Sequence, residues 1–287
     1  MVTVEPIRDN DLTQVCAFWR SSFNSKCPQE IWERAFQRNW YVNKPNNGFL
    51  LRDGGTIVGA LGAIYSQQII RGRTELFCNL TSWYVCDAFR NRSAAILLKL
   101  IKQRGFHFTN FSANETVKQV LLNTGFKTLS GELTAVPNLP LSFARTKGVV
   151  LLDEPDAVAR VLPDVRRKIC FDHGDCCGVR QLAIGDPGSG YCHIIYTTGR
   201  CRNLSCAIIH DVGDPGLLKH FWQYLSTYFL FHTGALVTRI ESRLLPSVQL
   251  PYSFALSTNF KGLFLSTSLE CNVVGPLYSE VLALRGC

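Results

Sequence analysis

The sequence predicts an α/β protein made of two units in tandem, each with a mixed central sheet flanked by helices. Stretches that alternate apolar and polar residues, typical of strands, lie between stretches with apolar residues at helical spacing. The order strand hairpin, strand, helix, strand occurs in each half of the 287 residues. The proline-containing segment 136–148 lies between the halves, so we expect domains at residues 1–147 and 148–287.

In the first half, the alternation at residues 2–8 predicts a strand, and apolar residues at helical spacing predict helices at 11–23 and 28–40. The turn Asp53-Gly54-Gly55 is typical of a hairpin. Gly125 is a typical helix end. The remaining predicted elements are strands 49–52, 56–66 and 75–85, helix 93–104, strand 106–112, helix 115–123 and strand 126–135.

In the second half, a turn at residues 185–188 predicts a second hairpin. Pro215 near the start of an apolar stretch is typical of the first turn of a helix. The predicted elements are strands 178–184, 191–198 and 204–211, helix 214–232 and strand 235–241. This order suggests a diverged duplication of the first half.

Composition and charge limit the function. The chain is 46% hydrophobic and 18% charged, which excludes a disordered protein. Residues 1–147 hold 18 Lys and Arg against 10 Asp and Glu, whereas residues 148–287 hold 12 of each. The basic excess of the first half favours an anionic ligand there. Because no block of five or more basic residues occurs, focused anion binding fits better than a nucleic-acid surface.

The 12 cysteines include no CxxC pair, and the charged start of the chain predicts no export signal. We therefore expect reduced thiols, a cytoplasmic location and no membrane span. Some residues are of metal-ligand type, but their spacing matches no standard zinc site, so no metal is predicted. They are Asp172, His173, Cys176, Cys177, His193 and His210.

The segment from Trp83 to Ala95 carries the clearest chemical signal. A strand ends at Val85, an arginine-containing loop follows, and small residues open an apolar helix. Small residues at a helix start let backbone N–H groups approach a phosphate, and the helix dipole favours negative charge. Arg90 and Arg92 add charged donors. This arrangement suits a pyrophosphate.

The segment resembles the acyl-CoA-binding loop of the GCN5-related N-acetyltransferases, the GNAT superfamily, with Ser93 where that family has its first glycine. A second match is Phe111-Ser112-Ala113-Asn114, followed by Gly125-Phe126. The resemblance covers about residues 2–135 and implies two GNAT-like units, of which the second is degenerate. By the same resemblance, the residues expected to bind acyl-CoA are Tyr84, Val85, Arg90, Asn91, Arg92, Ser93, Ala94, Ala95 and Asn114.

The implied activity is transfer of acetyl from acetyl-CoA, or of another acyl group, to an unidentified amine by direct attack in a ternary complex. The position of the family's usual Tyr acid is Leu121, and the position of its occasional Glu base is Asn79. Glu75 has the same strand parity as Asn79. Glu75 and Asn79 are therefore the catalytic candidates.

Two alternatives stay open. Leu121 and Asn79 favour a CoA-binding or scaffold protein without catalysis. The basic excess of the first half is also compatible with a nucleic-acid-binding module. In the second half, the segment Asp211-Val212-Gly213-Asp214 occupies the position of the acyl-CoA loop. Its acidic residues would repel a phosphate, so we expect no CoA binding there.

Overall fold

The computed structural model describes residues 1–38, 40–140, 148–256, 260–270 and 273–285. The strands are β1 Val2–Pro6, β2 Gly48–Asp53, β3 Thr56–Ile70, β4 Arg73–Val85, β5 His107–Asn110, β6 Lys127–Gly131, β7 Leu133–Pro137, β8 Val150–Leu152, β9 Val179–Asp186, β10 Gly190–Cys201, β11 Leu204–Val212, β12 Val237–Glu241, β13 Phe254–Ala255 and β14 Phe260–Leu265. The helices are α1 Leu12–Ser22, α2 Gln29–Gln37, α3 Ser93–Ile101, α4 Glu115–Asn123, α5 Pro155–Val161, α6 Asp164–Gly174, α7 Pro215–His232 and α8 Glu280–Ala283.

These elements form two compact units with one seven-stranded sheet each, which confirms the predicted fold class. Unit 1 is Met1–Leu129 with Lys261–Cys287, and unit 2 is Ser130–Phe260. The sheet orders are β1-β2-β3-β4-β5-β14-β6 and β13-β7-β12-β11-β10-β9-β8. The order hairpin, strand, helix, strand is β2-β3-β4-α3-β5 in unit 1 and β9-β10-β11-α7-β12 in unit 2.

The division differs from the predicted boundary at 147/148. The expected single strand 126–135 is two strands: β6 belongs to the first sheet and β7 to the second. The chain then returns to the first sheet as β14, which lies between β5 and β6. The C-terminal segment therefore belongs to unit 1, which the sequence order could not reveal. Residues 141–147 of the expected boundary lie outside the described residues.

Aromatic side chains cover one part of the sheet in unit 1. The ring of Trp19 on α1 stacks on Phe36 and Trp32 of α2, with centroids 5.0 and 5.9 Å apart. A Cβ on Gly62 of β3 would come within 2.7 Å of the Phe36 ring. Glycine at position 62 therefore lets this aromatic cluster reach the sheet.

Unit 2 has its own core. The 18-residue helix α7 buries an apolar face that includes Phe221, Trp222 and Phe229 against apolar residues of the sheet. Helices α5 and α6 pack beside β9 and were not predicted, because α5 has only seven residues and α6 is mostly polar. Cys27 is disulfide-bonded, which contradicts the expectation of reduced thiols for that residue.

Candidate functional site

The candidate site of unit 1 lies where two parallel strands separate. Strands β4 and β5 pair only where Phe77–Asn79 faces His107–Thr109. Strand β4 continues to Val85 with no strand partner on its β5 side among the described residues. Asn110 then bonds across the gap through its side chain, because its Nδ2 donates to the carbonyl oxygen of Leu80 at 2.8 Å.

A bulge reorients β4 at the start of this gap. Ala60 of β3 faces Tyr84 and Gly62 faces Thr81, so Ser82 and Trp83 together oppose Leu61. Ser82 has a φ of 52°, in the left-handed region that residues other than glycine rarely adopt. Bulges of this kind redirect side chains and end regular pairing, and they occur often beside binding sites.

Two clefts open along the separated strands. The inner cleft has a volume of about 480 Å³ and the outer cleft about 390 Å³. Both are lined by Trp83, Asn114 and Val117, so the clefts adjoin. The outer cleft is also lined by Tyr84, Val85, Arg90, Ser93, Thr116 and Val120. The inner cleft is lined mainly by apolar and small polar side chains.

The structure brings together part of the predicted acyl-CoA-binding set. Tyr84, Val85, Arg90, Ser93 and Asn114 all line the outer cleft. The others, Asn91, Arg92, Ala94 and Ala95, are exposed at the same loop and helix start without lining either cleft.

The loop itself is a 3-10 helix over Asp87–Arg92 that leads directly into α3. The backbone N–H of Ser93 donates to the carbonyl oxygen of Arg90, so this N–H already has a partner. No side chain caps the start of α3. Arg90 makes an exposed ion pair with Asp87 at 2.7 Å. The cationic side chains and the helix dipole therefore favour an anion here.

Asn114 begins α4, and its side chain accepts a hydrogen bond from the N–H of Val117 at 2.9 Å. This cap accounts for the sequence signal of an Asn at a helix start. Leu121 of the same helix is fully buried and lines the inner cleft. The position where the resembled family carries a Tyr acid therefore faces the site but has no proton to donate.

Neither predicted catalytic residue lines a cleft. Glu75 lies near the start of β4, and its carboxylate faces the Nε2 of His107 at 3.0 Å. Asn79 is fully buried: its Nδ2 donates to Thr109 and its Oδ1 accepts from the N–H of Glu280 at 2.9 Å. Both polar atoms of the Asn79 side-chain amide are thus bonded within the protein. Through its Oδ1, Asn79 positions Glu280.

That other residue, Glu280, is the one that sequence reasoning missed. It begins α8, is 5% exposed and lines the inner cleft. Burial raises the pKa of its carboxyl above the usual range, while bonds from Ser112 and Phe111 oppose the increase. The only sequence signal is a single Glu followed by Val-Leu-Ala after Ser279.

Unit 2 has a different arrangement at the end of β11. Asp211 pairs with Arg166 of α6, and Arg166 also donates to Nδ1 of His193 at 3.0 Å. Nε2 of His193 therefore carries the proton and donates to Gln181 at 2.9 Å. Burial, and then the Arg166 charge, lower the pKa of His193 to about 3. His193 is a neutral, fully bonded side chain.

His210 of unit 2 is also engaged, with its Nε2 at 2.8 Å from the hydroxyl of Thr197. Among the described residues, no group of three or more His, Cys, Asp and Glu is placed to hold a metal ion. Within the same residues, no helix is both long and apolar enough to cross a membrane.

No protein-family model and no curated protein matches the chain. Solved structures do match. A GCN5-related N-acetyltransferase from Anabaena variabilis has a TM-score of 0.62 at 12% identity, covering 92% of this chain and 72% of that one. A probable N-acyltransferase from Enterococcus faecalis has a TM-score of 0.62 at 10% identity and the same coverage.

This chain has the GNAT fold. A further match is the N-myristoyltransferase of Saccharomyces cerevisiae, solved with myristoyl-CoA and inhibitors. Its TM-score is 0.51 at 10% identity, covering 96% of this chain and 84% of that one. The resemblance predicted from the acyl-CoA loop is thus confirmed at the level of the fold, and the GNAT-like order of elements occurs in both units.

Proposed function

We propose that the chain is an acyl-CoA-dependent N-acyltransferase that transfers acetyl from acetyl-CoA to an amine by direct attack in a ternary complex. The observation that carries the proposal is the gap between β4 and β5, which adjoins the cationic start of α3. A gap of this kind exposes strand backbone to an extended ligand, and the helix start attracts its phosphates.

The residues of the outer cleft have distinct roles in this proposal. The main chain at Tyr84 and Val85 pairs with the amides of the pantetheine arm. Arg90 and Arg92 contact the pyrophosphate as charged donors, and the dipole of α3 adds to their attraction. The basic excess of residues 1–147, 18 Lys and Arg against 10 Asp and Glu, supports an anionic ligand in this half.

Holding both reactants in one site supplies much of the rate of such a transfer. The inner cleft adjoins the outer one through Trp83 and has room for an acyl group and an acceptor. One observation favours a second candidate, a CoA-binding protein without catalysis: Leu121 occupies the position of the usual acid.

The test is calorimetric titration with acetyl-CoA of the wild type and of the double variant Arg90→Ala, Arg92→Ala. We expect micromolar binding that weakens by at least about 30-fold in the double variant, since two charged contacts to phosphate are lost. The matched control is Lys99→Ala, Lys102→Ala, which removes the same charge near the other end of α3. This control should change the affinity by less than about threefold.

Absence of binding to the wild type at millimolar acetyl-CoA would contradict the proposal. Binding that both double variants weaken equally would contradict the assigned site. Binding without release of free CoA thiol across a panel of primary amines would favour the non-catalytic candidate.

A further inference from the structure

The inner cleft holds a carboxylate that is fixed at one oxygen and unpaired at the other. Oε1 of Glu280 accepts from the N–H of Phe111 at 2.8 Å and from the hydroxyl of Ser112 at 2.7 Å. The N–H of Glu280 donates to Asn79. Oε2 is buried and has no hydrogen-bond partner. A buried carboxylate oxygen without a hydrogen bond destabilises the folded protein. Its presence in a cleft wall therefore indicates that it binds a ligand group.

Three more buried polar atoms of the same wall lack a partner: Oδ1 of Asn110, Nε1 of Trp32 and Nε1 of Trp83. The amide of Asn110 is held through its other end, which bonds to Leu80. With Oε2 of Glu280, the wall therefore has two acceptor oxygens and two indole donors that the protein itself leaves unbonded. A polar ligand group that comes within hydrogen-bond distance of these atoms would satisfy them.

Charge narrows the class of ligand. Among the described residues that line the inner cleft, Glu280 is the one charged side chain, and Phe23, Trp32 and Trp83 supply aromatic surface. An ammonium group is attracted by a carboxylate and by aromatic faces. A second, anionic group on the same molecule would meet no cation in these walls and would be repelled by Glu280.

We propose that Glu280 binds the ammonium group of the acceptor and takes up its proton, and that the acceptor is a primary amine on an apolar body without negative charge. This inference rests on the proposed function, because it assigns the acceptor side of the same reaction. Asn79 is a positioning residue, since it holds the N–H of Glu280 and does not line the cleft.

The transfer forms one C–N bond and breaks one C–S bond. Oε2 of Glu280 removes one proton from the ammonium, and the freed electron pair of nitrogen forms a C–N bond with the thioester carbonyl carbon. The C–S bond then breaks, and its electron pair leaves with sulfur. The carboxyl of Glu280 returns its proton to the thiolate, and the second nitrogen proton passes to water. The products are the amide, free CoA and one proton.

The first experiment measures binding without chemistry. Calorimetry at pH 8 compares 2-phenylethylamine with its uncharged analogue 2-phenylethanol, on the wild type saturated with CoA. We expect the amine to bind at least about tenfold more tightly, and this preference to vanish in Glu280→Gln. Glutamine retains an Oε1 that accepts from Phe111 and Ser112, so the fold is preserved. Glu270→Gln, an exposed carboxylate of the same C-terminal segment, is the control.

The second experiment measures turnover with acetyl-CoA. We expect Glu280→Gln to lower kcat at least about 100-fold with an unchanged Kd for acetyl-CoA. The wild type should prefer 2-phenylethylamine over phenylalanine and over spermidine by at least about tenfold in kcat/KM. The comparison with phenylalanine needs no variant, because the two molecules differ only by a carboxylate.

The outcomes separate the two proposals. If the wild type fails to bind acetyl-CoA, the proposed function falls, and the amine preference, measured then without CoA, still tests Glu280. If acetyl-CoA binds and Glu280→Gln retains the amine preference or the wild-type kcat, the role of Glu280 is overturned. If phenylalanine or spermidine is the better substrate, the acceptor class is wrong.

Discussion

The two units have the same elements in the same order, but their helices α3 and α7 begin differently. In unit 1, no side chain caps α3, and Arg90 and Arg92 lie just before it. In unit 2, the carboxylate of Asp214 caps α7 by accepting from the N–H of Leu217 at 2.9 Å. The carboxylate of unit 2 satisfies the helix start internally, whereas the start of α3 in unit 1 has no side-chain cap.

The carboxylates near the central strands β4 and β11 also differ between the two units in their hydrogen bonding. Beside β4, Oε2 of Glu280 has no partner. At the end of β11, Arg166 bonds to both Asp211 and His193, and His193 donates to Gln181. The two units thus share the order of elements, but the carboxylate of Glu280 in unit 1 keeps an unpaired oxygen, whereas the carboxylate of Asp211 in unit 2 is paired with Arg166, whose own Nε lacks a partner.

The largest effect is expected when a carboxylate like that of Asp214 in unit 2 is placed at the start of α3 in unit 1. Ser93→Asp introduces negative charge in the first turn of α3, next to the proposed phosphate position. We expect acetyl-CoA affinity to fall by at least about 30-fold through repulsion at short range. The same charge interacts favourably with the helix dipole, so unfolding free energy should stay equal or rise by about 0.5 kcal/mol.

Calorimetry and chemical denaturation of the same samples check both parts. Ser93→Ala is the control, because it removes the hydroxyl without adding charge, and its affinity should stay within about threefold of wild type. Wild-type affinity in Ser93→Asp would show that the start of α3 does not contact an anion.

The second effect concerns the network of unit 2. Arg166→Met leaves Asp211 without its cation, and removal of one partner from a largely buried pair costs about 2–3 kcal/mol of unfolding free energy. Arg160→Met, an exposed arginine of α5, should cost less than about 0.5 kcal/mol. Urea unfolding measures both. If the two variants are equally stable, the network contributes nothing to the folding of unit 2.

The third effect concerns the bulge of β4. Ser82→Val places a β-branched side chain at the positive φ of 52° and should cost about 1–2 kcal/mol. Ser82→Gly should stay within about 0.5 kcal/mol of wild type. Thr81→Val is the control, because it adds the same side chain one residue earlier, at a position without positive φ. Equal costs at positions 81 and 82 would refute strain at the bulge.

The sequence predicted the parts of the site that local chemistry determines. The strand end at Val85, the loop with Arg90 and the helix from Ser93 follow from composition and spacing over adjacent residues. It could not predict Glu280, which comes 195 residues after Val85 and reaches the cleft through the return of β14 to the first sheet. Glu75 does not line either cleft, because strand parity gives a face but not the position along the strand where the gap opens.

The smallest expected effect is a difference between the two units in the pH dependence of their unfolding free energy. The folded pKa of Glu280 is raised, so above pH 4.5, its usual value, unfolding releases a proton that the folded state retains. The contribution of this group to the unfolding free energy of unit 1 therefore falls as pH rises.

His193 gives unit 2 the opposite sign. Between its folded pKa of about 3 and its usual value of 6.5, only the unfolded chain binds the proton, so the unfolding free energy falls as pH falls. Hydrogen exchange, read separately for peptides of each unit, should show this divergence between pH 5 and 6.5. In Glu280→Gln, the decline of unit 1 with rising pH should disappear while unit 2 is unchanged. An unaltered decline would mean that Glu280 ionises as freely as in the unfolded chain, which would remove the energetic reason for assigning a function to its unpaired oxygen.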